Sequence, residues 1–188
     1  MDRFERWSAQ YGISLADYEM LTANLKQCSF KRGEDIIVPG QIPGRLFFVR
    51  TGVQVGCYET AEKNHILAFS YFPGILAVPG AFTFQAPSLY YWRSLTDSIL
   101  DYISFTDLTS LFDRNQQIER FFRKMTEDAL AGMISRHIEL QAMTIAERYR
   151  TFCSRSPHLL QLVPHKYIAS YLGIDPTNFS KLFNSIKI

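Results

Sequence analysis

The sequence predicts an α+β chain: a β-rich N-terminal part, one long helix and a C-terminal helix-turn-helix. Three observations carry this. Between about Phe30 and Asp107, short runs of β-branched and aromatic residues alternate with Pro-Gly and Gly turns. From Asp113 to Met143 there is no proline, and apolar residues return every three or four positions. From Val163 onward, small, apolar and polar residues fall where two crossing helices need them.

Taken in order, the chain is expected to be helical to about Gln27. Ser14 caps a run in which Leu15, Tyr18, Leu21 and Leu25 share one face. Six strand candidates follow: Ile36–Val38, Leu46–Val49, Val53–Tyr58, Ile66–Tyr71, Tyr90–Trp92 and Ile99–Ile103, enough for a small sandwich or barrel. Within this zone the stretch from Ile75 to Ser88 carries no charged residue, and its Pro and Gly positions read as a loop. The long helix places Ile118, Phe121, Phe122, Met125, Ala129, Met133 and Ile134 on a stripe wide enough for two neighbours, the β-rich part and the same helix of a second subunit. Thr144-Ile-Ala-Glu147 then matches a capping box and restarts a helix through about Phe152.

Composition narrows the function classes. The chain has 188 residues, 47% of them hydrophobic, no eighteen-residue apolar run and no apolar signal segment after Met1, so a cytoplasmic protein without a membrane partner is expected. Cys28, Cys57 and Cys153 are too scattered for a disulfide framework or a thiolate metal site and read as reduced thiols. Residues 144–188 hold six basic residues (Arg148, Arg150, Arg155, Lys166, Lys181, Lys187) against Glu147 and Asp175. The remainder is slightly acidic, so the positive charge gathers at the end that carries the helix pair, which suits a polyanion.

That pair is well specified. Ile168 and Leu172 face inward, Ala169 is small where the helices cross, and Gly173 takes the tight turn. Ile174, Phe179 and Leu182 complete the core, while Asp175-Pro176 sets an N-cap and a first helical residue. With those residues inside, Thr177, Asn178, Ser180, Lys181 and Asn184 are expected to point outward, with donors suited to base edges and phosphates. His165, Lys166 and Ser170 on the first helix are candidates for contacts to a DNA backbone.

A β domain, a long helix and a helix-turn-helix in this order resemble the Crp/Fnr family of transcription regulators. The resemblance rests on Phe30-x-Arg32-Gly33-Glu34, Pro39-Gly40, Leu46-Phe47-Phe48-Val49-x-x-Gly52, Leu95-Thr-Asp-Ser-x-Leu100-x-x-Ile103, Ala146-Glu147-Arg148-Tyr149 and Tyr167-Ile-Ala-Ser-Tyr-Leu-Gly173. It is similar to short members of Bacteroidetes type. The resemblance implies a double-stranded β-helix, a jelly-roll-like cyclic-nucleotide-binding-like effector domain over 1–112, a dimerisation helix over 113–143 and a helix-turn-helix DNA-binding domain over 144–188. It implies a non-enzymatic homodimer that binds double-stranded DNA, answers an unknown small-molecule effector and has RNA polymerase as a further partner. Where the family often carries Arg-Glu and a later Arg on its recognition helix, this chain has Pro176-Thr177 and Lys181. Lysine lacks the planar fork of arginine, so the target sequence is not carried over. No strand-forming wing is evident, which leaves the contacts mainly to the two helices.

In cyclic-nucleotide-binding members a Glu holds the ribose and an Arg neutralises the phosphate. The matching triplets here are Leu76-Ala77-Val78 and Ser88-Leu89-Tyr90, without charge. Losing charge-assisted bonds of this kind removes cAMP as the expected effector. Leu76, Ala77, Val78, Ser88, Leu89, Tyr91, Arg93 and, from the long helix, Met125 are the candidate effector-pocket residues, with Arg93 facing the interior if its strand keeps register. Phe69, Tyr71, Phe72, Phe82, Phe84, Tyr90 and Trp92 read either as core or as walls for an apolar or aromatic effector. Two other classes compete: a ligand-free protein-interaction module, and a cupin-like metal enzyme. The latter needs clustered histidines, and His65 stands alone in the β zone. No cofactor is implied, since haem and iron–sulfur sites lack a ligand set.

Overall fold

The computed structural model describes residues 2–185; Lys187, counted above among the basic residues, lies outside the described residues. Helix α1 (Arg3–Tyr11) opens with a reciprocal capping box between Asp2 and Glu5, and Gly12 ends it in the left-handed region. Ser14 caps α2 (Leu15–Thr22) by accepting the Asp17 amide. Helix was expected to about Gln27, but Lys26–Phe30 forms β1 because each of its five residues pairs with β8. Long-range pairing overrides the helical spacing of Leu25.

The strands form two four-stranded antiparallel sheets. One runs β1–β8–β3–β6 and the other β2–β7–β4–β5. Their spans are β2 (Asp35–Ile37), β3 (Arg45–Thr51), β4 (Val53–Glu59), β5 (Asn64–Tyr71), β6 (Ile75–Leu76), β7 (Tyr91–Ser94) and β8 (Ser98–Ser104). Among the described residues no hydrogen-bonded pairing joins the two sheets into a closed barrel. Alternation on β3 explains the layering: Phe47 and Val49 point between the sheets to meet Trp92 and Leu100, while Leu46 and Phe48 point to Trp7, Ile118, Phe121 and Phe122 on the helices. Burying each such side chain contributes roughly 1.5–3 kcal/mol. The uncharged stretch from Ile75 is only partly loop. It holds β6 and the short helix α3 (Pro79–Thr83), with Pro79 at the helix start.

The long helix is present close to its expected span, but it starts later than Asp113, and a helix not expected from the sequence precedes it. Asn115 is extended and caps a new helix by accepting the Gln117 and Ile118 amides, so α4 (Phe105–Arg114) and α5 (Gln116–Ala142) are separate. An Asn cap was not distinguishable from a helix interior by apolar spacing alone. The stripe divides along α5. Ile118, Phe121 and Phe122 are buried on the first sheet, whereas Met133 and Ile134 are 69% and 53% exposed, in line with the equally uncovered Leu130 and Ile138. The Thr144–Glu147 capping box is present and starts α6 (Ile145–Arg155), followed by α7 (Leu159–Leu162), α8 (His165–Leu172) and α9 (Pro176–Ser185).

Candidate nucleic-acid interface

The α8–α9 pair is built as its residue types require. Ile168, Ala169, Leu172, Ile174 and Phe179 are all less than 5% exposed and share one core with Tyr149 and Phe152 of α6. Gly173 has φ +61°, and a Cβ there would come within 3.1 Å of Leu140, so the turn needs glycine for conformation and for space. The Asp175 carboxylate accepts the Thr177 and Asn178 amides at 2.8 and 3.4 Å, which sets the first turn of α9.

On the outer side of α9, Thr177, Asn178, Ser180, Lys181 and Asn184 are exposed and together. The Ser180 hydroxyl donates to the Pro176 carbonyl, and the other four make no side-chain hydrogen bond among the described residues. Phe183 shares this surface and packs at a tilt against His165, with ring centroids 4.2 Å apart. His165 is thereby held at the start of α8, beside the exposed Lys166.

Ser170 is a correction. Its hydroxyl donates to the Asn64 carbonyl at 3.0 Å and accepts the Ile66 amide at 3.2 Å, bridging main-chain groups of the edge strand β5. A hydroxyl has one proton to donate, so in this arrangement Ser170 has none for a phosphate. Around it, Tyr167 and Tyr171 pack on Val55, Cys57, Ile66, Phe69 and Tyr91, and the Tyr71 hydroxyl pairs with Ser156 at 3.0 Å. The second sheet therefore has α6 and α8 as its outer layer. The end of α5 is tied to the same unit: Glu139 is buried and bonds Arg155 at 2.9 Å, while Arg136 lies 4.1 Å from the Tyr171 ring centre. Burial lowers the Arg136 pKa from its usual value, opposed by Tyr171 and Glu139.

The eight expected effector-pocket residues do not converge. Leu76 and Val78 lie in the core between the sheets, and Ser88 is buried with its hydroxyl on the Tyr90 carbonyl. Leu89 is 78% exposed. Tyr91 and Arg93 face away from the sheet interior towards α8, and Arg93 makes a two-pronged contact with Asp35 at 2.6 and 3.0 Å. The expectation that Arg93 faces inward is overturned by that pairing, because the side of β7 that carries Tyr91 is the one α8 covers. Of the aromatic candidates, Phe84 is 81% exposed and is neither core nor wall.

Ala77 and Met125 do come together, at a different place. With α1, the β5–β6 corner, α3 and α4 they line a cavity of about 630 Å³. Its walls include Trp7, Tyr11, Phe72, Phe82, Phe112 and Phe122, and Asp128 of α5 accepts Gln10 and Tyr11 at 3.0 and 2.9 Å. Burial, then this contact with Asp128, raises the Tyr11 pKa far above its usual value. Sequence reading missed the contribution of α1. The signal was Asp2-x-x-Glu5 ahead of Trp7 and Tyr11, a capping box followed by two aromatics one turn apart.

Among the described residues no helix is long and apolar enough to cross a membrane, and no group of three or more His, Cys, Asp or Glu could hold a metal ion. No protein-family model and no curated protein matches the chain. Solved structures do. FixK2 from Bradyrhizobium japonicum superposes with a TM-score of 0.72 at 17% identity, over 85% of this chain and 83% of its own. The c-di-GMP responsive global regulator CLP of Xanthomonas campestris gives 0.67 at 16% identity, over 91% and 90%. The catabolite activator protein of Thermus thermophilus gives 0.60 at 12% identity, over 93% and 84%. The chain thus has the fold of these bacterial proteins, from the β domain through the long helix to the terminal helix pair.

Proposed function

We propose that the chain is a DNA-binding transcriptional regulator of Crp/Fnr type, cytoplasmic and non-enzymatic. It acts as a homodimer through α5 and recruits or obstructs RNA polymerase. The observation that carries this reading is the α8–Gly173–α9 unit, whose core positions are filled and whose five outward polar residues lie on one exposed face. The fold shared with bacterial regulators supports it. So does the uncovered row Leu130, Ile134 and Ile138 on α5, spaced by four residues as a helix–helix contact requires. A dimer would present two recognition helices to half-sites about one helical turn apart.

cAMP is not the effector in this reading. The triplets at the cyclic-phosphate position carry no charge, and Leu76, Val78 and Ser88 are engaged in the core. Selection of binding sites from random duplexes at moderate salt tests the function. Two-fold symmetric half-sites are expected, and no sequence enrichment would refute the reading. Direct titration with cAMP should give no binding in the micromolar range.

A further inference from the structure

We infer that the cavity between α1 and α5 is a binding site for a small organic cation, an apolar or aromatic molecule that carries a protonated amine. Shape and wall chemistry come first. Its volume of about 630 Å³ falls in the range of small-molecule sites, and nine of its lining residues are aromatic. Aromatic faces carry negative potential and attract cations. The region already demonstrates this with the chain's own groups: the Arg3 guanidinium lies 5.5 Å from the Trp7 ring centre and the Arg6 guanidinium 6.0 Å from that of Phe72.

Asp128 supplies the specific contact. Gln10 and Tyr11 both donate to its Oδ2, which holds the carboxylate in one orientation and leaves Oδ1 without a protein donor among the described residues. Asp128 is exposed at the edge of the cavity, so Oδ1 faces water in the free chain; an ammonium group exchanges that water for a charge-assisted bond at a pre-oriented acceptor, stronger than a neutral one. Arg6 is the other charged wall residue; it is exposed, lies by the Phe72 ring and is not a hydrogen-bond partner of Asp128. A carboxylate or phosphate ligand would meet Asp128 and the ring faces unfavourably. Of the uncharged triplets only Ala77 lines this cavity, while Leu76, Val78 and Ser88 are held in the core, and the site stands whether or not the chain binds DNA.

The experiment uses the intact chain. Its two tryptophans, Trp7 and Trp92, both line the cavity, so intrinsic emission reports its occupancy. The probes are phenethylamine and hydrocinnamate, of similar size and opposite charge. Saturable quenching by the amine is expected, with an affinity at least about tenfold above that of the carboxylate. In Asp128→Asn the amine should lose about tenfold while the carboxylate gains or holds. Ala129→Leu, which narrows the cavity and keeps the charge, should weaken the amine in a chain whose circular dichroism melt is unchanged. Equal affinity for the two probes, no saturation by the amine below about 10 mM, or an amine affinity indifferent to both substitutions would each overturn the inference.

Discussion

The terminal helix pair and the β domain translate sequence into structure in different ways. In α8 and α9 every assigned core residue is within a few positions of its neighbours in the chain, and Ile168, Ala169, Leu172, Ile174 and Phe179 are buried as their spacing demands. In the β domain, residues close in sequence separate: Ser88 is buried, Leu89 is exposed, and Tyr91 and Arg93 turn to α8. The cavity that does form brings Trp7 and Tyr11 to Phe72, Phe112 and Asp128. Local spacing decides the first region, and long-range pairing decides the second.

Substitutions can break this contrast, and the largest effect belongs to the helix pair. Phe179→Ala removes a ring that meets Tyr149 at 5.6 Å and is 1% exposed. It should destabilise the terminal unit by about 3–5 kcal/mol, measured by denaturant unfolding. A loss below about 1 kcal/mol would mean that the unit is held by its contact with the second sheet and not by its own core. Next come Lys181→Ala and Asn178→Ala, both on the exposed face of α9. Each should leave unfolding unchanged and weaken specific DNA by about 1–3 kcal/mol. The salt dependence should fall by about one unit for Lys181 if it binds phosphate and stay constant for Asn178. Identical behaviour of the two would erase the distinction between base and backbone contacts.

Ser170→Ala tests the seam where the two regions meet. Removing a hydroxyl that bridges Asn64 and Ile66 should cost about 1 kcal/mol of docking, read as faster amide exchange at Ile66. If DNA affinity falls while Ile66 protection stays intact, Ser170 contacts phosphate and the seam is held by the tyrosines alone. The smallest effect concerns the start of α6. Bonds from the Thr144 hydroxyl, then from the Thr144 amide, hold the Glu147 pKa below its usual value. A lowered carboxylate contributes stability above the ordinary glutamate range, and loses it as pH falls through the lowered folded value. Acid titration should therefore loosen the α5–α6 junction over that window, and Glu147→Gln should remove the pH step.

Much of the fold was legible because its signals are local. The capping box at Thr144, the Asp175-Pro176 start and the Gly173 turn are short-range devices, and each is where the residues place it. Strand existence was legible from β-branched runs between turns, except for the two-residue β6, expected as loop, and β1, whose Lys26-Gln27-Cys28-Ser29-Phe30 has little apolar alternation and is a strand because β8 lies beside it. The candidate site divides along the same line. The outward face of α9 follows from helical period alone, whereas the engagement of Ser170 with β5 depends on where a strand one hundred residues earlier lies.

By itself the sequence determined the order of parts, the helix-turn-helix and its polar face, because a helix's sides are set by 3.6-residue periodicity and its ends by neighbouring caps. Only the tertiary structure decided which side of each strand meets which layer, that α8 covers the second sheet, and that α1 and α5 border an open, aromatic-lined cavity. A strand turns its side chains to two faces without specifying what covers either one, and that choice is made by residues distant in the chain.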